Sequence, residues 1–170
     1  DVCSSDLTDA TWALHTYSNV DSPPVTDLIE LPSHRVIRTM EMNQVLRDKL
    51  TKLKRPKSEF FRINIDKGVS VDAYAILPPD LNPNKKYPLL VYVYGEPAGQ
   101  TTVNSWRGSG GLWHWMLAQQ GYVVMSIDNR GTTAPRGNVW RKSIYRQVGI
   151  LASQDQAAAV KQVLKDRPYL

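Results

Sequence analysis

Apolar and polar positions alternate at the start of the chain. In TWALHTY (residues 11–17), Trp12 and Leu14 fall on one face and His15 and Tyr17 on the other. NVDSPPV interrupts the pattern and VTDLIEL resumes it, so residues 10–31 read as strands joined by a turn. Two short strands are not stable alone, which makes them the tail of a larger sheet. The period then lengthens. In TMEMNQVLRDKLTKLKRP (residues 39–56), Met42, Val45, Leu46, Leu50 and Leu53 form one stripe, predicting a helix that Thr39 caps and Pro56 stops. Alternation returns in SEFFRINI and VSVDAYAIL, which flank DKG and predict a hairpin turning on Gly68, followed by the loop PPDLNPNKKYP.

Continuous apolar runs come next. Leu89–Val93 predicts a strand over 88–94 buried on both faces, which ends at Tyr94 and meets GEPAGQ. A long loop leads to LWHWMLAQQ, a predicted helix with Gly121 at its C-terminal cap. YVVMSID (122–128) reads as a second buried strand and NRGTTAPRG as a loop. A last helix is predicted from about Ser153, with Ser153 and Gln156 as a capping box. Strand, helix, strand, helix with apolar strands predicts an α/β fold built on a parallel sheet with right-handed crossovers. Such sheets carry their chemistry at the carboxyl ends of the strands, here Tyr94 and the loops 95–111 and 129–139.

Composition adds limits. The 170 residues suffice for one ordinary domain, and 42% hydrophobic and 22% charged residues suit a globular chain. No stretch has the length of a membrane span, and no signal peptide opens the chain, which does not begin with Met. The first seven residues, DVCSSDL, are expected to be foreign: back-translated, they fit the end of a common sequencing adapter. Removing Asp1 and Asp6 takes the acids from 16 to 14 and the net charge from +5 to +7. Cys3, the sole cysteine, can form no internal disulfide. The densest basic run, Lys52, Lys54, Arg55 and Lys57, ends a predicted helix, where cations complement the helix dipole. No zinc-finger or RNA-binding signature accompanies it, so no nucleic-acid partner is expected.

Several motifs fail. Gly108–Gly111 lacks the third glycine of a dinucleotide fingerprint and the lysine of a phosphate-binding loop. No G-x-S-x-G nucleophile elbow occurs. His15, His34 and His114 have no metal spacing, so no metal is expected, and His114 reads as a packing or capping residue. Asp128 suits either an orienting carboxylate or, in preference, the start of a turn. Arg130 is expected to pair with a carboxylate of the frame. Trp106, Trp113 and Trp140 read as packing anchors. Spacing alone leaves Tyr94 equally suited to strand preference and to a catalytic hydroxyl.

KKYPLLVYVYGEPAGQ, GYVVMSIDNRGTTAPRGNVWRKSIY and SQDQAAAVKQ, in that order and spacing, resemble the prolyl oligopeptidase family of serine peptidases, specifically its dipeptidyl peptidase IV branch. The resemblance runs from about Trp12 to the C-terminus, with Thr133 standing where a proline is common. It implies an incomplete α/β-hydrolase sheet preceded by the last strands of a β-propeller. Residues 8–35 would be the propeller strands and 36–170 the N-terminal part of the peptidase domain, with 36–55 the passage into it. The catalytic Ser, Asp and His would lie beyond residue 170, leaving this chain inactive by itself.

The resemblance assigns Tyr94 to the oxyanion hole, where a preorganised phenol O–H donates to the oxygen that gains charge. Gly95 and Pro97 would shape the turn that keeps it there. Glu96 and Gln100 are expected to border the same cleft, on the leaving-group side. The implied activity is release of N-terminal Xaa-Pro or Xaa-Ala dipeptides from peptides without a cofactor, by a parent that would be a homodimer and exported. An acylaminoacyl peptidase or esterase of the same superfamily, and a non-catalytic binding member, remain the alternatives.

Overall fold

The computed structural model describes residues 2–6 and 11–170. The chain divides into two compact units, the first running to Arg55 and including Asn104–Trp113, the second comprising Pro56–Val103 and His114–Leu170.

The first unit is an antiparallel sheet in the order β1-β2-β3-β4, from Val2–Asp6, Trp12–Asn19, Ser22–Glu30 and Val36–Glu41. Strand β3 alternates strictly, burying Val25, Asp27 and Ile29. The turn after β2 closes through Asn19, whose Oδ1 accepts the Asp21 N–H at 2.9 Å. Most of the segment read as foreign forms β1, and because a ladder is made by main-chain groups, that pairing is indifferent to the segment's origin. Asp1 and Leu7 of that segment lie outside the described residues.

The helix expected from Thr39 is corrected. Residues 36–41 are β4, paired with β3 through Thr39↔Asp27 and Leu28↔Arg38, and Thr39 caps nothing. Helix α1 is only Gln44–Thr51 and starts after Asn43, whose φ of 54° breaks the strand. The Asn43 amide donates to Pro24 O at 2.8 Å and the Arg47 guanidinium to Pro23 O at 2.6 Å, so α1 is tied down by side chains rather than by its stripe. Of that stripe only Leu50 is buried, while Met42, Val45 and Leu53 are exposed. A partner strand won over a helical period here.

The second unit holds a mixed sheet in the order β5-β6-β8-β7. Strands β5 (Lys57–Asp66) and β6 (Val69–Leu77) form the expected antiparallel hairpin, with Gly68 at φ 73° in the turn. Strand β8 (Val123–Asp128) is buried at every residue. It runs antiparallel to β6 and parallel to β7 (Leu89–Tyr92). The sheet expected to be parallel is therefore parallel only at β7/β8, because a hairpin supplies its other half. Strand β7 is also shorter than expected and half buried, since it pairs only with β8.

Val71, Ala73 and Ala75 of β6 and Val123, Met125 and Ile127 of β8 form the core with Ala159 and Val163 of helix α4 (Ile150–Asp166). Arg167, just past α4, bonds Glu59 of β5 and lies 4.2 Å from the Phe61 ring centroid.

Helix α2 spans Gly108–Gln119 and begins one turn earlier than expected. It ends at Gly121, φ 93°, where Tyr122 N–H reaches Leu117 O at 3.1 Å and Gly121 N–H reaches Ala118 O at 3.0 Å, a Schellman arrangement. A short helix, α3 (Gly137–Lys142), occupies the segment between β8 and α4. The capping box is corrected: α4 starts at Ile150 behind Gly149, φ 83°, so Ser153 lies inside it and bonds back to Gly149 O at 2.5 Å. Gln156 turns instead to the end of β8. No helix among the described residues is long and apolar enough to cross a membrane.

Candidate active-site frame

Two parallel strands that end side by side expose successive carbonyls and loop amides at one edge, and the local sequence fixes them there. Ser126, wholly buried, donates its Oγ proton to Tyr92 O at 2.7 Å. Asn129, just past β8, donates Nδ2 to Gly95 O at 3.3 Å and to Arg130 O at 2.8 Å. Gln156 on α4 donates Nε2 to Ile127 O at 2.7 Å and to Asn129 Oδ1 at 3.1 Å. Tyr94 is thus bracketed by two anchored carbonyls, those of Tyr92 and Gly95. Strand β7 ends at Tyr92, and Gly95, with φ 77°, turns the chain directly after the phenol.

Tyr94 itself is 46% exposed, and its hydroxyl bonds to no other group among the described residues. It borders a cavity of about 400 Å³ whose lining includes Glu96, Val148, Gly149, Ala152 and Ser153. Glu96 is exposed at this rim. Gln100 does not line the cavity, and its amide donates weakly to Thr102 O at 3.4 Å within its own loop.

Asp128 neither orients a histidine nor simply starts a turn. Buried at the end of β8, it accepts Thr101 N–H at 2.8 Å, Thr101 Oγ–H at 2.9 Å and Thr102 N–H at 3.0 Å, pinning the far end of the loop that follows Tyr94. Arg130 meets the carboxylate expected for it, Asp155 of α4. Nη2–Oδ1 is 2.6 Å, Nε–Oδ2 3.0 Å, and the Arg130 main-chain N–H reaches Oδ2 at 3.0 Å. The charge-assisted bonds to Asp155 hold the Arg130 guanidinium above its ordinary pKa, against the opposing effect of burial.

His114 packs in mid-helix, 5.1 Å from the Tyr92 ring centroid. Trp140 packs against the core beneath the Arg136 guanidinium, 4.1 Å from its ring centroid. Trp113 is corrected: at 57% exposure it anchors no packing. Among the described residues no group of three or more His, Cys, Asp or Glu could hold a metal ion.

Sequence reasoning passed over Asn129, Asp155 and Gly99. The only available signal for Asp155 was a lone acid in an otherwise small and apolar helix face. Asn129 and Gly99 look like ordinary loop residues until the fold places them against Gly95 and Tyr94.

A profile described as the prolyl oligopeptidase family matches residues 113–170. Dipeptidyl peptidase 4 of Trichophyton rubrum is 36% identical over 137 residues, covering 79% of this chain and 17% of that protein. The crystal structure of Porphyromonas gingivalis dipeptidyl peptidase 4 superposes with a TM-score of 0.87 at 32% identity, over 95% of this chain and 22% of that one. Pyrococcus horikoshii acylaminoacyl peptidase shares the fold, with a TM-score of 0.70 at 18% identity over 93% of this chain and 23% of that one. The chain therefore spans only about a fifth of the length of these proteins.

Proposed function

Because the chain belongs to the prolyl oligopeptidase family and is of the dipeptidyl peptidase IV type, we propose that it is the frame segment of a serine exopeptidase. In this reading the complete enzyme releases Xaa-Pro and Xaa-Ala dipeptides from peptide N-termini. Residues 8–35 are the last strands of a propeller, and residues 36–170 are the N-terminal part of the α/β-hydrolase domain, with 36–55 the passage into it. Tyr94 supplies one oxyanion-hole donor. The observation that carries this is a phenol with an uncommitted hydroxyl, fixed between anchored carbonyls at the carboxyl end of a parallel strand and facing a cavity.

When a serine oxygen attacks the peptide carbonyl, the carbonyl oxygen takes up negative charge. A donor already in place then stabilises the transition state more than the ground state. Replacing Tyr94 by phenylalanine in the complete enzyme lowers kcat by roughly a hundredfold with little change in KM. Steady-state kinetics on Gly-Pro and Ala-Pro chromogenic substrates measure this, and a phenylalanine variant with wild-type kcat removes Tyr94 from the mechanism.

The 170 residues by themselves turn over neither substrate. A triad needs a nucleophile within hydrogen-bond reach of a base; the sequence has no G-x-S-x-G, and no serine among the described residues sits on a strand-to-helix elbow. Purified residues 8–170 assayed on the same substrates test this. Activity that disappears with Tyr94→Phe would show a nucleophile inside this segment.

A further inference from the structure

Gly99 occupies a position where its backbone does not demand glycine, since its φ lies outside the left-handed region. What it lacks room for is a side chain. A Cβ there would lie 2.6 Å from Tyr94 Cε1, 2.9 Å from Cδ1 and 3.1 Å from Cζ, far inside van der Waals contact, and these ring atoms are its nearest neighbours. The loop thus lays bare main chain against the Cδ1–Cε1–Cζ side of the phenol ring. Two residues further on, the loop is held by the three hydrogen bonds to Asp128, a carboxylate buried at the end of the neighbouring strand. The backing surface is anchored to the sheet that also carries Tyr94.

We infer that Gly99 is a positioning residue for Tyr94: its bare main chain, clamped through Thr101 and Thr102 to Asp128, sets the ring orientation and so aims the hydroxyl. The kinetic consequence rests on the oxyanion reading of Tyr94, while the geometric one does not. Because Tyr94 is 46% exposed, a methyl group at Gly99 displaces the ring into solvent rather than disrupting the core. The hydroxyl then leaves the place where a developing oxyanion needs a donor, and sub-ångström to ångström errors of that kind are costly in rate.

The test uses the complete enzyme with Gly99→Ala, Tyr94→Phe and the double variant, together with enzyme carrying 3-fluorotyrosine at position 94. Gly99→Ala lowers kcat by about tenfold or more at nearly unchanged KM, and adds nothing further in the Tyr94→Phe background. The fluorine resonance at position 94 shifts when Gly99 becomes alanine. An equal loss of kcat with and without the Tyr94 hydroxyl overturns the inference, as does an unchanged fluorine resonance. Wild-type kcat in Tyr94→Phe sinks the oxyanion reading instead, and the resonance alone then decides whether Gly99 positions the ring. Should Gly99→Ala not fold, Thr101→Val loosens the same clamp by removing one donor to Asp128. It lowers kcat only when the Tyr94 hydroxyl is present, and a loss independent of that hydroxyl counts against the clamp.

Discussion

Replacing Arg130 by methionine destabilises the chain by about 3–5 kcal/mol, the range seen when one member of a buried ion pair is removed. Replacing Asp155 by asparagine costs less. The asymmetry follows from exposure: the Asp155 side chain is 2% exposed and the Arg130 side chain 30%. Without Arg130, a carboxylate stays in the interior with only one main-chain N–H to satisfy it. Without the Asp155 charge, the guanidinium can be rehydrated from its exposed side. A double variant, Arg130→Met with Asp155→Leu, regains part of the loss, because no stranded charge remains. It regains only part, since the Arg130 main-chain N–H loses its acceptor. Urea-unfolding midpoints of the four proteins measure this, and Arg130→Met costing no more than Asp155→Asn would refute it. The pair joins the end of β8 to the first turns of α4, whose Gly149, Ala152 and Ser153 line the cavity beside Tyr94. The same variants therefore loosen the frame around the phenol.

Gly131→Ala is the second large effect, about 2–5 kcal/mol, summing backbone strain and overpacking. Gly131 has φ 92°, which an L side chain adopts only at a cost. An added Cβ would also lie 2.5 Å from Ile144 Cγ1 and Cδ1 and 2.7 Å from Cγ2. Ile144 is itself buried, and contacts with atoms so near its base cannot be relieved by swinging a chain end. Gly121 separates the two causes, because its φ of 93° is nearly the same while nothing lies within 4 Å of its would-be Cβ. Gly121→Ala should cost only the backbone share, roughly 1–2 kcal/mol. Thermal or urea unfolding of both variants reads the difference, and equal losses would mean that the Ile144 contact carries no weight.

Gly99, Gly121 and Gly131 look alike in a one-letter string. One is required by a ring, one by a helix end, and one by a backbone angle and a packed isoleucine together. The same holds for the polar residues. Asp128 and Asp155 each offered a generic carboxylate, and only the fold supplied Thr101 and Thr102 for the first and Arg130 for the second.

The sequence by itself determined whatever depends on neighbours along the chain. Alternation and Gly68 specified the β5–β6 hairpin, unbroken apolar runs located β7 and β8, and Gly121 marked the end of α2. The three motifs around Tyr94, Asp128 and the α4 helix pointed to the family. These features are local, since periodicity and positive-φ turns are set by a few adjacent residues. Tertiary structure alone decided the rest. Thr39, Met40 and Glu41 open the predicted helix yet belong to β4, because pairing with β3 satisfies their main-chain groups. A hairpin rather than a further parallel strand covers one side of β8, so the sheet is mixed and β7 is only half buried. Gln156 completes no capping box with Ser153 because its amide is held by Ile127 and Asn129, nearly thirty residues away. Contacts between residues far apart in sequence leave no period to read, so the clamp of the Gly99 loop on Asp128, which accompanies its approach to the Tyr94 ring, emerges only once the chain has folded.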